Sequence, residues 1–121
     1  MNITLSLLKS KRACDDQVRL FRIHFGEGPA PLDDDTALRM ASVFDFDWAA
    51  QKLLSPEGLK AYVEDTALLW KTYDDANAPL WKAYVEDTAL LWKTYYDAKA
   101  PMWKAYKEAK ALAFVAIARK E

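Results

Sequence analysis

The chain has 121 residues, of which 52% are apolar and 29% charged, and its net charge is −1. That length holds one ordinary domain, or a small domain followed by an extended helical arm, and excludes two large domains. The apolar content excludes a chain disordered by composition.

In chain order, the first segment, MNITLSLLKSKR, carries its basic residues after the short apolar stretch, the wrong order for a secretory signal, so cytoplasmic residence is expected. Apolar spacing from Leu5 to Phe25, with Asp15 and Asp16 as a possible first turn, predicts a helix ending at Gly26. Residues 26 to 35, GEGPAPLDDD, read as loop. Asp35 or Thr36 then caps a short helix to about Val43, and Asp45 or Asp47 caps another through Trp48 to Leu54, stopped by Ser55-Pro56-Glu57-Gly58. Residues 1–56 are therefore expected to form a small helical domain of two or three helices, and 57–121 a repeat arm.

From Gly58 the chain is written in elevens: GLKAYVEDTAL, LWKTYDDANAP, LWKAYVEDTAL, LWKTYYDAKAP, MWKAYKEAKAL, then a degraded remnant. Tyr62, Tyr73, Tyr84, Tyr95 and Tyr106 recur at this step, as do Trp70, Trp81, Trp92 and Trp103, with Phe114 in the next equivalent place. The 17 residues from Lys60 match those from Lys82 except where Tyr96 replaces Asp74, which implies a recent tandem duplication. Eleven residues in three turns is about 3.67 per turn, so equivalent residues stay on one helix face, with Lys and Glu/Asp on the other. No glycine occurs beyond Gly58, and the fold class is all-α.

Pro79 and Pro101 interrupt this pattern, because a proline inside a helix costs about 3 kcal/mol. Two arrangements stay open: one long helix kinked at the prolines, or helices of about 20 residues folded into an antiparallel hairpin or bundle. A continuous helix from Glu57 to Arg119 would be about 95 Å long. Only another chain could then cover its aromatic face.

The repeat form AP-x-W-K-A-Y-x-x-A, together with ACDDQVRLFRIHFG at 13 to 26 and FDFDWAAQKLL at 44 to 54, resembles a group of uncharacterised phage-encoded accessory proteins with such tandem repeats. The resemblance covers most of the chain and implies a small phage or prophage product in the bacterial host cytoplasm. It implies no established activity. Here proline occurs in alternate elevens, with Leu68, Leu90 and Leu112 between.

Residues 57 to 98 carry four Lys against eight Asp/Glu, and 99 to 121 carry six Lys/Arg against two Glu. The sign order suits a helix macrodipole and antiparallel pairing, and is a weak footprint for nucleic acid. His24 has no nucleophile at catalytic spacing, and Cys14 beside Asp15 and Asp16 reads as a packing residue. Asp33, Asp34, Asp35, Asp45 and Asp47 lack the offsets of a calcium loop and read as caps and solvated loop. A non-enzymatic interaction module follows, without cofactor or metal, acting through Trp70, Trp81, Tyr84, Trp92, Tyr95 and Trp103. Its expected partner is a second copy of the chain or a bacterial host protein, and neither nucleic acid nor membrane is expected. Two alternatives remain: a phage counter-defence inhibitor that occludes a bacterial nuclease or surveillance complex, and a single-strand binder using the aromatic ladder.

Overall fold

The computed structural model describes residues 1–86 and 91–121, with side chains described for 1–82 and 95–121. Among the described residues there is no strand, and six helices follow in order: α1 (Leu5–Ser10), α2 (Asp15–Phe25), α3 (Asp34–Met40), α4 (Phe46–Leu53), α5 (Pro56–Glu86) and α6 (Leu91–Ala118).

Short polar side chains start most of these helices by taking up an otherwise unpaired N–H of the first turn. Thr4 Oγ1 accepts from Leu7 N at 3.1 Å, Asp33 Oδ1 from Thr36 N at 2.7 Å, and Asp45 Oδ1 from Trp48 N at 3.0 Å. The cap of α3 is thus Asp33 rather than Asp35 or Thr36, which leaves Asp34 and Asp35 in the first turn where the helix dipole favours them. The helix expected to begin at Asp15 and Asp16 and to end at Gly26 is α2, and the residues before it form a separate helix, α1, with Arg12 at a left-handed φ of 61° between them. Gly26, at φ 60°, ends α2 as its C-cap.

Ser55-Pro56-Glu57-Gly58 both ends α4 and starts α5. Pro56 occupies the first helical position, where no N–H is needed, and Ser55 Oγ accepts from Gly58 N at 3.0 Å. A side chain at Gly58 would collide with the Glu121 carboxylate, which also accepts from Ser55 N at 3.2 Å.

The arm is an antiparallel hairpin of two helices of 31 and 28 residues, each about 45 Å long. Ring contacts mark its register: Tyr62 with Phe114 at 6.4 Å, Trp70 with Tyr106 at 5.5 Å, Tyr73 with Trp103 at 5.3 Å and Trp81 with Tyr95 at 5.6 Å between centroids. In every pair the two residue numbers sum to 176, and each rung joins a Tyr position to a Trp position. Neither proline marks the end of a helix. Pro79 lies inside α5 and Pro101 inside α6, both at exposed positions, where the carbonyl four residues earlier can turn to water.

Four short helices, rather than two or three, precede the hairpin and pack on its open end, α3 and α4 lying against α6. One hydrophobic core joins Leu5, Leu8 and Phe21 of the first two helices to Tyr62 of α5 and to Phe114 and Val115 of α6. Asp47 ties α4 to both α5 and α6, accepting from Tyr62 Oη at 2.8 Å and pairing with Lys110 Nζ at 2.9 Å.

Because the rungs repeat every eleven residues, removal of residues 82–103 should shorten each leg by one eleven and leave Tyr73 opposite Trp81, with the base unchanged. The shortened chain is expected to melt cooperatively and to lose helical circular dichroism equivalent to about 22 residues. A non-cooperative melt would contradict this register.

Candidate interaction face

The period that builds the rungs also sorts the side chains around each helix. At about 98° per residue, a Trp eight positions after a Tyr lies roughly 65° round the helix, while the Lys two positions before that Tyr lies on the far side. The exposures follow: Tyr62, Tyr73 and Tyr95 are 3%, 8% and 6% exposed in the seam, whereas Trp70, Trp81 and Trp103 are 48%, 51% and 39% exposed on its flank. Lys60, Lys71, Lys82 and Lys104 are all exposed.

The register relates the two legs by a local two-fold normal to the hairpin plane, so the Trp flanks of α5 and α6 are one side of the hairpin. Trp70 and Trp103 accordingly line a single groove, and both their rings also reach Tyr73 and Tyr106, at 5.3–5.5 Å between centroids. At the base of the same side, Phe114 stands in the Trp position and is 2% exposed, covered by Phe46 of α4 at 5.6 Å. Farther along, the tryptophans keep their exposure.

Of the six binding residues expected from sequence, the structure puts Trp70, Trp81 and Trp103 on this face and buries Tyr95 in the seam. Tyr84 and Trp92 lie outside the residues whose side chains are described. Tyr96, 52% exposed, and Asn77 were not singled out by sequence and also line the groove. Their signal was the repeat itself, since both fall where the two copies differ.

Lysines of the basic end settle on the ladder's own rings. Lys99 Nζ lies 5.6 Å from the Tyr95 centroid, Lys107 Nζ 5.6 Å from Trp103 and Lys110 Nζ 4.9 Å from Tyr106.

The acidic residues act as caps and pairs. Asp34 meets Arg119 at 3.4 Å and Asp35 meets Arg39 at 3.3 Å, and among the described residues no cluster of His, Cys, Asp and Glu could hold a metal ion. Cys14 is exposed rather than packed, because it precedes α2 as its N-cap. His24 is exposed beside Phe25 and Phe44, at 6.2 and 6.3 Å.

At the base, burial disfavours the Asp47 carboxylate, but bonds from Lys110 and Tyr62 outweigh it and hold Asp47 below the usual carboxylate range. Burial first, and then Asp47, push the Tyr62 phenol well above its ordinary value. Among the described residues no helix is long and apolar enough to cross a membrane. No protein-family model, curated protein or solved structure matches the chain.

Two substitutions test the base. Asp47→Asn should cost about 1 kcal/mol near neutral pH, the half-exposed pair being partly screened by water. Because the folded carboxylate titrates below its unfolded value, that contribution is complete above about pH 4 and fades as pH falls through the lowered value, where the two urea-unfolding curves should converge. Tyr62→Phe keeps the ring on Phe114. Wild type should lose stability as pH rises above about 10, where only its unfolded chain releases the Tyr62 proton, and the variant should lose less.

Proposed function

We propose that the chain is a non-enzymatic protein-interaction module whose hairpin presents its Trp face to a second protein. The observation that carries this reading is the half-exposed row of Trp70, Trp81 and Trp103 on the side that the short helices already cover at Phe114. A surface continuous with an existing helix-packing interface is shaped for more helix or loop, and tryptophan is the side chain most enriched at interface hot spots.

Self-association loses ground as the main role, since the seam that a single long helix would have exposed is filled by the chain's own second leg. Nucleic acid is a weaker fit, because three lysines of the basic end already lie on ladder rings. On the resemblance to phage-encoded accessory proteins, the partner would be a bacterial protein. Occlusion of a host nuclease or surveillance complex is one form such binding would take.

The test is capture of the partner from a bacterial lysate, its identification, and reconstitution from two purified proteins. A hot-spot tryptophan is worth about 2 kcal/mol or more, so Trp81→Ala alone should weaken the reconstituted complex about thirtyfold. The combined Trp70→Phe, Trp81→Phe, Trp103→Phe variant, which keeps a ring in every rung as Phe114 does at the base, should lose most of the binding while remaining helical. Full binding by that variant overturns the reading, and a concentration-dependent dimer of the wild type that the same changes dissolve would point to a second copy instead.

A further inference from the structure

The duplicated segments meet each other on the Trp face, and they have diverged where they meet. Residues 60–81 and 82–103 differ at three of 22 positions: Asp74 against Tyr96, Asn77 against Lys99, and Leu80 against Met102. The antiparallel register brings the first two of these pairs, all four residues, into one groove of about 490 Å³. Identical copies would have placed two aspartates and two asparagines there.

What the groove holds instead has a definite recognition chemistry. Four aromatic rings, of Trp70, Tyr73, Tyr96 and Trp103, line it together with the Asp74 carboxylate and Asn77. Asn77 Oδ1 is the one buried side-chain polar atom among the described residues with no hydrogen-bond partner. A buried acceptor left unpaired is costly, and a turn of the Asn77 side chain into the groove it lines would let that oxygen accept from a donor there. The groove's own cation, Lys99, lies over the Tyr95 ring.

We propose that this groove receives the guanidinium of an arginine side chain carried by the partner protein. The guanidinium is a flat cation that stacks on aromatic faces, and it has five N–H donors and no acceptor. It would lie against the rings while donating to the exposed Asp74 carboxylate and, once the Asn77 side chain turns into the groove, to its Oδ1. Rings of this ladder already take cations, as Lys107 on Trp103 and Lys110 on Tyr106 demonstrate. A nucleotide would also stack, but its phosphate would meet Asp74, with Asp75 and Asp97 next in sequence to groove residues. The proposal rests on the Trp face being the partner-binding surface.

The probe is N-acetyl-arginine amide, added to the full chain at millimolar concentrations while the tryptophan indole N–H resonances are followed by NMR. Saturable shifts of Trp70 and Trp103 are expected, with Trp48 unmoved. Asp74→Asn and Tyr96→Ala should each weaken the response about tenfold. Asn77→Leu separates a receptor from a packing defect: it should weaken binding by a similar factor yet raise the melting temperature by about 4 °C, because it removes the unpaired acceptor. No response to the arginine probe, an equal response to N-acetyl-lysine amide, or a stronger response to uridine monophosphate each overturns the proposal. If the purified partner still binds the Asp74 and Asn77 variants fully but not the triple tryptophan variant, arginine capture fails and the Trp-face reading survives. If the partner also binds the triple tryptophan variant, the wider reading fails.

Discussion

The register between α5 and α6 is the constraint on which the rest of this structure depends, and the repeat alone does not set it. Sliding one leg past the other by one eleven, about 16.5 Å, again puts every Tyr position opposite a Trp position. The ladder stabilises many alignments equally. What singles out the observed one is the base, where Phe114 stands in place of a tryptophan against Tyr62 and Phe46, and where Asp47 joins Tyr62 to Lys110. Glu121 against Ser55 and Arg119 against Asp34 add polar contacts that only this alignment satisfies. The four short helices therefore act as the clamp that chooses one hairpin from a periodic set.

A clamp at one end and a periodic ladder beyond it explain how a duplicated sequence folds without ambiguity. Each added pair of elevens lengthens both legs by one eleven, which adds two rungs, and leaves the base as it was. The prolines fit the same scheme. They sit on exposed positions, away from the seam, so the carbonyl each one leaves unpaired can turn to water and the Tyr–Trp rungs are undisturbed. Near-identity of the copies costs nothing in the seam, which wants the same residues at every step. Only on the Trp side, where the legs form a groove open to solvent, does a difference between copies change what the surface can recognise.

Several local features were legible from residue chemistry. Asp45 as one of two candidate caps, Gly26 as a stop and most of the loop read at 26 to 35, which ends at Asp33, follow from side chains that satisfy or free the backbone within a few residues. Others were misread for equally local reasons. In Asp33-Asp34-Asp35-Thr36 any of four residues can cap, and the choice of Asp33 depends on how α3 docks on α6. Ser55-Pro56-Glu57-Gly58 stops α4 as expected, and what was not read is that it also starts α5, Pro56 being ideal at the first position of a helix.

By itself the sequence determined an all-helical chain, its eleven-residue period and hence which residues share a helix face, because these depend on backbone geometry repeated along one strand of chain. It could not decide whether that face met another chain or its own second leg, since both arrangements bury the same residues with the same spacing. The tertiary structure decided it by bringing residues 60 or more positions apart, Asp47 with Lys110 and Ser55 with Glu121, into contact. Those pairings split the aromatic face into buried tyrosines and half-exposed tryptophans. They also made Asp74, Asn77, Tyr96 and Lys99 neighbours, a juxtaposition that no reading along the chain contains.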